Sequence, residues 1–430
     1  MLLLSYNGGA MTIYTHKDKP WFLYQATAPT AKHIVIIGGG LAGCQSAYVL
    51  AQRGFQVTLI ERHSKLAQEA SGNIAGVIYG KFSPHDSAQY RFYQQAYLHA
   101  IEHIPKLMGK ADGWQQCGVL QLACDETEEK LQAALLANQA WPRELFHAVT
   151  AQQASDIAGL AIPVAGLFFP QGGWVYPRAL CEAAVQAPNI NVLYYSEALH
   201  LEQQGLGWQI QTAKDVLNAD KLVIANGADA LAFAQSNHLP LRPIRGQVSH
   251  IKSTGSSLKT VICHKGYTTP AIDGQHPVGA SFNLKDPEPG LRESDRQYNI
   301  DMLRKHVPSF VQQLDIANHT LEQGRVGFRC QTPDYLPIVG PVADAAAYKA
   351  NYKNLFTGMQ HGDLPIGSYH NNLFINIAHG SRGISNTGLA AEILASYISA
   401  DKQPVDQGVL NALHPGRFII RDIKRRKSAI

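Results

Sequence analysis

The chain has 430 residues, of which 45% are hydrophobic and 16% are charged. This balance suits a globular, core-rich enzyme of two domains and excludes a disordered or coiled-coil protein. The net charge of +4 permits a polyanionic partner without requiring one. Six scattered cysteines without a CxxC pair argue against a disulfide framework or a metal centre, so we expect a cytoplasmic location. No apolar run approaches the roughly 20 residues of a membrane-spanning helix, so no membrane association is expected.

The N-terminal third begins with an irregular segment and then changes character. Residues 1–32 have no clear period and are interpreted as a lead-in or linker-like tail. Residues 34–37 have the pattern of a buried strand, residues 41–53 that of a helix, and residues 56–60 that of a second strand. Gly54 ends the helix. Together these elements form a βαβ unit.

The remainder alternates between helical and extended patterns. Residues 85–140 are predicted to be mostly helical, and residues 189–226 alternate like strands, with a Gly-containing turn that indicates a hairpin. Short strands are expected over residues 245–324, with a polar helix near 291–305. The last clear unit, "NLFINIAHGSRGISNTGLAAEILASYIS", predicts a strand, a Gly/Ser-rich turn and a helix, and the chain ends in the basic sequence "RDIKRRKSAI".

Gly38, Gly40 and Gly43 form a GxGxxG motif directly after the first strand of the βαβ unit. The first glycine allows a tight turn, the second lets a pyrophosphate approach the backbone, and the third lets helix and strand pack closely. Glu61 ends the second strand, where an acid bonds the ribose hydroxyls of an adenosine and disfavours a 2′-phosphate. The unit therefore predicts a site for FAD or NAD rather than NADP.

Two further segments are candidates for contacts with the same cofactor. The small polar residues of "EASGNIAGVIY" would let a loop lie against it, although an ordinary capped turn explains the same composition. The members of that loop are Ser71, Gly72, Asn73 and Ala75. The turn "HGSRGISNTG" would direct backbone N–H groups at the O2 atom of an isoalloxazine ring, although a plain strand-to-helix loop is the alternative. Its members are Gly380, Ser381, Arg382 and Gly383.

Longer motifs carry a family resemblance. The strand–GGGLAG–helix–strand–Glu start, "VIANGA" at 223–228, "RGQVSH" at 245–250 and "GFRCQTPDYLPIVG" near the end resemble the FAD-dependent D-amino acid oxidase and glycine oxidase superfamily. The resemblance implies an α/β fold, in which a Rossmann-like FAD-binding domain is interleaved with an α+β substrate domain that carries an antiparallel sheet. It also implies that Asn226 and Gly227 contact FAD.

The same resemblance divides the chain into segments. The implied FAD-binding domain comprises residues 33–84, 160–244 and 325–420. The implied substrate domain comprises residues 85–159 and 245–324. Residues 421–430 are expected to form a basic tail.

Within the superfamily the similarity narrows. "EASGNIAGVIYGKFSPHD", "CGVLQLACDE", "FFPQGGWVYPRALC" and "HGSRGISN" are similar to the FAD-dependent half of the bacterial bifunctional enzyme that makes 5-methylaminomethyl-2-thiouridine in tRNA. That family also carries an N-terminal methyltransferase domain. Only about 32 residues precede the βαβ unit here, so we expect the oxidoreductase half alone, and methyl transfer would need a separate protein.

The implied substrate is tRNA carrying 5-carboxymethylaminomethyluridine at the wobble position of its anticodon loop. Its N–CH2–COO⁻ end is chemically an N-substituted glycine. Oxidation of the CH2 would yield an imine, and hydrolysis would give glyoxylate and 5-aminomethyluridine, with dioxygen as the expected electron acceptor. The resemblance places Arg329 where the superfamily's arginine holds the substrate carboxylate, because a guanidinium bonds both oxygens in one plane.

The site residues have alternatives. Arg329 could simply pair with Asp334, and Cys330 stands where proline is common in the superfamily. Tyr267 resembles the superfamily's tyrosine whose hydroxyl faces the substrate, or it is a packed strand tyrosine. His379 and Arg382 are weaker candidates that could only brace the turn.

Contacts with tRNA phosphates could come from the "KRRK" run of residues 424–427 or from dispersed arginines, although charge runs are usually solvated surface. The dispersed candidates are Arg91, Arg178, Arg242 and Arg245. Two other functions share the motifs. One is an FAD-dependent oxidase of a free small amino acid such as glycine, sarcosine or a D-amino acid. The other is a flavin-bearing RNA-binding protein without catalytic activity.

Overall fold

A computed structural model describes residues 3–7, 10–14, 19–25, 32–138, 141–253, 255–357 and 364–425. No helix within these ranges is long and apolar enough to cross a membrane. In chain order the strands are β1 Leu3–Asn7, β2 Ala10–Tyr14, β3 His33–Ile37, β4 Gln56–Ile60, β5 Gly76–Ile78, β6 Trp114–Gln115, β7 Val119–Leu122, β8 His147–Val149, β9 Gly166–Phe169, β10 Gly173–Val175, β11 Ile190–Leu193, β12 Ala198–Gln204, β13 Gly207–Thr212, β14 Val216–Ala219, β15 Lys221–Ile224, β16 Arg242–Lys252, β17 Val261–Cys263, β18 Tyr267–Thr268, β19 Gln275–Gly279, β20 Asn283–Leu284, β21 Gly324–Gln331, β22 Ile338–Ala343 and β23 Tyr369–Ile377.

The helices surround these strands. They are α1 Leu41–Gln52, α2 Ala88–Met108, α3 Glu126–Asn138, α4 Ala151–Ala158, α5 Pro177–Ala184, α6 Glu293–His306, α7 Pro308–Val311, α8 Ala345–Asn351, α9 Gly383–Ser399, α10 Gln407–Leu413 and α11 Arg417–Lys424. Short 3₁₀ turns cover Pro20–Phe22, Gly227–Ala232 and Leu355–Thr357.

One sheet has the strand order β11-β4-β3-β15-β23-β22. Its first five strands are parallel, and β22 runs antiparallel to β23. The buried apolar side chains of α1, α5 and α9 form a core with one face of this sheet. The sheet formed by β12, β13 and β14 covers the other face through Leu201, Trp208 and Ile210. The predicted βαβ unit and the predicted hairpin, which is β12 with β13, are both confirmed.

A second, larger sheet has the order β20-β16-β19-β18-β17-β7-β9-β8, and β21 pairs with β16. Its pairs are antiparallel except β7 with β17, which is parallel. Helix α6, near the predicted position of the polar helix, packs on β16 and β19. The helical prediction over residues 85–140 holds for α2 and α3 but missed β6 and β7 between them, because "GVLQL" is too short to show a strand period clearly.

The sheets cross the predicted segment boundaries. Strand β6, from the range assigned to the substrate domain, pairs with β10 in a three-stranded sheet with β5. Strands β9 and β21 come from the ranges assigned to the FAD-binding domain, yet both pair within the larger sheet. Strand β21 also reaches the carboxyl edge of the first sheet, since the carbonyl of Cys330 accepts a 2.9 Å hydrogen bond from the N–H of Gly380. The larger sheet is thereby joined to the edge where the parallel strands end. The domain division itself stays a prediction.

Part of the predicted N-terminal tail is packed into the protein. Trp21 is fully buried in a cluster with Tyr348 and Tyr352. Its carbonyl accepts a hydrogen bond from the hydroxyl of Tyr348. The side-chain ammonium of Lys424 in α11 lies 4.9 Å from the centre of the Trp21 ring. The residues just before the first parallel strand are therefore held against the C-terminal helices. Residues 426–430 of the predicted basic tail lie outside the described residues.

Candidate active site

The turn between β3 and α1 leaves no room for side chains at two of its three motif glycines. A Cβ atom on Gly43 would lie 1.9 Å from the carbonyl oxygen of Gly38, so helix and strand could not approach. Gly38 has a φ of 108° and faces the carbonyl of Ala225, 2.9 Å from where its Cβ would be. Gly40, at the N-cap of α1, is less enclosed, because its Cβ would meet only Ser71 Oγ at 3.3 Å. The backbone of Gly40 is therefore open to a ligand, as a pyrophosphate site requires.

Glu61 lies at the end of β4 and braces this turn. Its two carboxylate oxygens accept 2.8 Å hydrogen bonds from the N–H groups of Gly39 and His63. The residue is only 7% exposed. Each oxygen keeps a free lone pair, so the carboxylate can still accept hydrogen bonds from ribose hydroxyls. The position agrees with the role predicted for Glu61, which stays a prediction.

Ser71 connects the small polar loop to the first helix. Its Oγ accepts a 3.2 Å hydrogen bond from the N–H of Leu41, the first residue of α1. This is one of the N–H groups that a helix N-terminus leaves without an intrahelical partner. The loop therefore lies directly over the end of α1 that would meet the phosphates.

Arg325, which sequence reasoning missed, holds the same loop from the other side. It donates to Asn73 Oδ1 at 3.2 Å, to the carbonyl of Gln68 at 2.7 Å and to the carbonyl of Glu69. Gly72 makes room for it, because a Cβ there would lie 2.4 Å from Arg325 Nη2. The sequence contained a signal for Arg325, because Arg325 and Arg329 are four residues apart in one strand and their side chains therefore lie on the same face.

Buried polar atoms without a partner line the carboxyl edge of the parallel sheet. They are Asn226 Oδ1, Gln331 Oε1 and His379 Nδ1. Burial lowers the pKa of His379 to about 3, so its ring is neutral at physiological pH. Such orphaned groups need a polar partner in a folded protein. A flavin, with its carbonyl and ring N–H groups, fits this chemistry.

The second predicted cofactor turn begins α9, which packs against α1. Gly380 has a φ of 58°, a left-handed conformation that glycine adopts readily. A Cβ on Gly383 would lie 3.2 Å from Leu41 Cδ1. Ser381 is exposed. The N-termini of α1 and α9 therefore lie at the region predicted to hold FAD. Gly227, after β15, lies beside β21, because its Cβ would be 3.8 Å from the Cβ of Cys330.

Arg382 points away from α9 toward aromatic rings. It donates a 3.3 Å hydrogen bond to the hydroxyl of Tyr79, and its guanidinium lies 5.1 Å and 5.5 Å from the ring centres of Tyr79 and Tyr93. Lys81, a second residue that sequence reasoning missed, lies 5.5 Å from the ring centre of Tyr93. Burial and the charge of Arg382 both lower the pKa of Lys81. This side of the site is thus positively charged.

Arg329 is partly buried on β21 and makes few contacts. Its Nη1 donates a 3.2 Å hydrogen bond to the carbonyl of Ser281, and its guanidinium lies 5.7 Å from the ring centre of Phe282. A Cβ on Gly246, in the paired strand β16, would lie 2.2 Å from Arg329 Nη1, so a glycine is needed beneath it. Burial lowers the pKa of Arg329. Within the described part of the chain this guanidinium has no carboxylate partner.

Asp334 does not pair with Arg329. Its carboxylate accepts two hydrogen bonds from Arg417, at 2.9 Å and 3.0 Å. The alternative in which Asp334 neutralises Arg329 is therefore wrong. The prolines near Asp334 turn the chain away from β21 and toward α11, which no sequence spacing revealed.

Tyr267 lies close to the loop that carries Ala75. Its hydroxyl donates a 3.4 Å hydrogen bond to the carbonyl of Ala75. Burial raises the pKa of Tyr267 to about 12, partly offset by the nearby positive charge of Arg329. The hydroxyl is therefore protonated at neutral pH. Arg329, Tyr267 and the loop residue Ala75 thus lie around one space, and their catalytic role stays a prediction.

The arginines predicted to meet tRNA phosphates are placed differently from one another. Arg245 is fully buried and pairs with Asp295, so its assignment to a phosphate contact is wrong. Arg245 lies on β16 between β20 and β21, and its guanidinium also donates to the carbonyls of Glu288 and Gly290, which enclose it. Arg91 is paired with Asp86 and Asp406. Arg242 is exposed.

The rest of the predicted phosphate-binding run is divided. Lys424 belongs to α11 and covers Trp21, and Arg425 caps that helix. Residues 426 and 427 lie outside the described residues. The fourth dispersed arginine, Arg178, lies beside the small polar loop.

Comparison with known proteins agrees with this geometry. The family model described as "FAD dependent oxidoreductase", DAO, matches residues 33–397. The chain is 39% identical over 413 residues to the tRNA 5-methylaminomethyl-2-thiouridine biosynthesis bifunctional protein MnmC of Stutzerimonas stutzeri, and 40% identical over 412 residues to that of Pseudomonas aeruginosa. Each alignment covers 95% of this chain and 62% of the relative. The chain thus spans less than two thirds of the length of these relatives.

Solved structures show the same fold at low sequence identity. A glycine oxidase from Geobacillus kaustophilus has a TM-score of 0.72 at 20% identity, covering 89% of this chain and 98% of that one. An L-proline dehydrogenase from P. horikoshii has a TM-score of 0.69 at 18% identity, covering 91% and 98%. The family match covers most of the chain, and the glycine turn, the acid after β4 and the orphaned polar groups fit its cofactor. The protein is therefore a member of the DAO family of FAD-dependent oxidoreductases.

Proposed function

We propose that this enzyme oxidises 5-carboxymethylaminomethyluridine, or its 2-thio form, at the wobble position of tRNA. The products are the 5-aminomethyl nucleoside and glyoxylate. The names of the relatives and the surroundings of Arg329 support the proposal. The bacterial relatives at about 40% identity are named for biosynthesis of 5-methylaminomethyl-2-thiouridine in tRNA, and the substrate would end in an N-substituted glycine. The single structural observation that carries it is Arg329, a guanidinium without a carboxylate partner in the part of the chain that the structure describes.

The proposed roles follow from the contacts. Arg329 would bind both oxygens of the substrate carboxylate. Among the described residues its guanidinium donates a hydrogen bond only to the carbonyl of Ser281, so its other N–H groups can bind a ligand. Tyr267, protonated at neutral pH, would turn its single O–H from the 3.4 Å hydrogen bond with the Ala75 carbonyl to the substrate and limit the rotation of the substrate. Gly246 keeps the space in which the guanidinium lies. Together these residues would hold the substrate by its carboxylate and limit its rotation, which would fix the position of the CH2 group.

When bound, FAD accepts hydride from such a CH2 group. The residues that would hold it are Gly38, Gly40, Glu61, Ser71, Asn73 and Asn226, with the turn before α9. The protein must bind the substrate with its amine neutral, because an ammonium nitrogen has no lone pair to form the C=N bond. Water then adds to that bond, and the C–N bond breaks to release glyoxylate and the primary amine.

The positive charges around the site favour a neutral amine. Lys81 and Arg382 lie on one side, and Arg325 and Arg329 on another. Nearby cations disfavour a further positive charge on the substrate nitrogen. A separate methyltransferase activity would methylate the amine product. We propose that the enzyme acts in the cytoplasm, where tRNA is found.

The test is anaerobic reduction of the bound flavin, followed by its absorbance. Adding tRNA that carries carboxymethylaminomethyluridine should bleach the flavin and release glyoxylate, whereas tRNA lacking the modification should do neither. Glycine, sarcosine and a D-amino acid serve as comparison substrates. If one of them reduces the flavin rapidly while the modified tRNA leaves it oxidised, the enzyme is an oxidase of free amino acids and the proposal is wrong.

A further inference from the structure

Two arginines flank the small polar loop at a distance from Arg329. Arg325 bonds Asn73 from strand β21. Arg178 lies at the start of α5, where its guanidinium is 5.9 Å from the ring centre of Tyr176. Neither has an ion-pair partner among the described residues. A carboxylate that could offset them, Glu69, is engaged by Arg62 and by His63.

The start of α5 brings Arg178 near the small polar loop. Strands β5 and β10 are antiparallel, and Gly76 is opposite Val175. Pro177, the first residue of α5, lies against Gly76, since a Cβ on Gly76 would be 3.6 Å from Pro177 Cγ. Gly76 follows Ala75, whose carbonyl accepts the hydrogen bond from Tyr267. Arg178 is the next residue of α5 after Pro177.

The two guanidinium groups differ in how many of their N–H groups already donate to the protein. Arg325 is committed to the loop, because Nη1 and Nη2 already donate to Asn73, Gln68 and Glu69. Arg178 has a buried Nε that has no hydrogen-bond partner. Arg325 holds the loop at Asn73, and the start of α5 lies against Gly76 of the following strand. Burial lowers the pKa of Arg325, the charge of Glu69 raises it, and the charge of Arg178 lowers it further. Two cations at one loop without an ion-pair partner among the described residues favour an anion there.

We propose that Arg178 binds a backbone phosphate of the polynucleotide that carries the reacting base, and that Arg325 supplies supporting positive charge from the loop. This inference rests on the proposed function. The carboxylate of the substrate is assigned to Arg329, so a second anion site has no use with a free amino acid. A nucleotide substrate carries phosphates as well, and guanidinium is suited to phosphate recognition. Arg178 would therefore distinguish a nucleic acid from a free amino acid.

The experiment measures tRNA binding by the oxidised holoenzyme at several salt concentrations, together with the limiting rate of anaerobic flavin reduction. We expect Arg178→Gln to weaken binding of modified tRNA by about 3- to 10-fold. The slope of log affinity against log salt should fall by about 0.7, the value for one single-strand phosphate contact. Arg178→Lys should retain most of that slope because it keeps the charge. The rate at saturating tRNA and the FAD content should not change.

Arg304→Gln is the matched control, since Arg304 is an exposed arginine paired with Asp301 in α6, and its salt slope should equal that of the unaltered enzyme. An unchanged slope in Arg178→Gln overturns the inference. Loss of FAD from that variant also overturns it, because Arg178 would then serve the cofactor. The proposed function fails separately, when modified tRNA leaves the flavin of the unaltered enzyme oxidised, and the binding slopes still report on Arg178 in that case.

Discussion

The chemistry of single residues in this protein depends on residues that are distant from them in the sequence. Arg329 has its charge available because Asp334 is occupied by Arg417, and it has space because Gly246 lies beneath it. Tyr267 keeps its proton because burial raises the pKa of its hydroxyl to about 12. The local sequence around Arg329 offered a neutralising partner five residues away, and only the fold removed it.

Arg329→Lys should weaken substrate binding at the residue scale. A lysine ammonium is a point charge that cannot form the two parallel hydrogen bonds of a guanidinium. We expect kcat/KM for modified tRNA to fall by about 10- to 100-fold, the loss of one charge-assisted hydrogen bond. Steady-state kinetics with glyoxylate detection measures this. Arg242→Lys on the neighbouring strand is the control and should have normal kinetics. Equal kinetics for both variants would remove Arg329 from the carboxylate site.

At the scale of elements, the turn from β3 to α1 separates two uses of glycine. Gly43 permits the approach of helix and strand, because a Cβ would lie 1.9 Å from the carbonyl oxygen of Gly38. Gly40 has an extended backbone with φ of −85° and ψ of −176°, which any residue adopts. The fold therefore does not require a glycine there, whereas a ligand that approaches the backbone would. The same motif thus contains a packing position and a predicted cofactor position.

Gly43→Ala and Gly40→Ala should therefore fail in different ways. Gly43→Ala should destabilise the apoprotein by about 1–3 kcal/mol, because the helix has to move away from the strand. Gly40→Ala should leave the free energy of unfolding of the apoprotein nearly unchanged while weakening FAD binding. Denaturant unfolding of the apoprotein and titration with FAD measure the two quantities. A normal FAD affinity for Gly40→Ala would show that the pyrophosphate does not approach this residue.

At the scale of the whole molecule, distant parts of the chain are joined by a few buried contacts. Asp334, which follows β21, is bonded to Arg417 in α11. Trp21, ahead of the first parallel strand, packs against Tyr348 and Tyr352 and is covered by Lys424. The segment around Trp21 and helix α11 therefore pack together, and the strand that carries Arg329 is tied to the same helix through Asp334.

The Asp334–Arg417 pair predicts a pH dependence of stability. Burial acts to raise the pKa of Asp334, but hydrogen bonds from Arg417 and its charge lower that pKa below its ordinary value of 3.8. A lowered pKa in the folded state stabilises the protein above the ordinary value, and this stabilisation is lost as pH falls below it. Asp334→Asn should cost about 1–3 kcal/mol at neutral pH.

The cost of Asp334→Asn should shrink as the pH is lowered below about 4, because the carboxyl of the unfolded chain is protonated first and that of the folded protein, whose pKa is lower, is protonated at still lower pH. Denaturant unfolding of both proteins over this range measures the difference. Asp401→Asn is a suitable control, since Asp401 is an exposed partner of Arg53. A difference between Asp334→Asn and the unaltered protein that stays constant with pH would contradict the assignment.

Trp21→Ala tests the packing of the N-terminal segment. Removing this fully buried ring should lower the free energy of unfolding by about 3–5 kcal/mol. Calorimetry or denaturant unfolding measures the loss. Leu206→Ala, in the exposed turn between β12 and β13 where the leucine is 68% exposed, should change little. If the two variants were equally stable, Trp21 would contribute nothing to the core at this corner.

The βαβ unit, its glycine turn and the place of Glu61 after the second strand could be predicted from the sequence, because each depends on neighbouring residues and on regular periods. The sequence also carried the motifs of an FAD-dependent oxidoreductase, which the family match confirms. Local patterns are enough for such features, since turn geometry and helix packing act over short stretches of chain.

The tertiary structure decided which charges are available. It paired Asp334 with Arg417, buried Arg245 against Asp295, and left Arg178 and Arg325 without an ion-pair partner among the described residues. It also packed Trp21 into a core that the irregular sequence around it did not indicate. The physical reason is that ion pairs and burial join residues hundreds of positions apart. Spacing along the chain holds no record of such contacts, so the number of unpaired cations at the site could be read only from the folded protein.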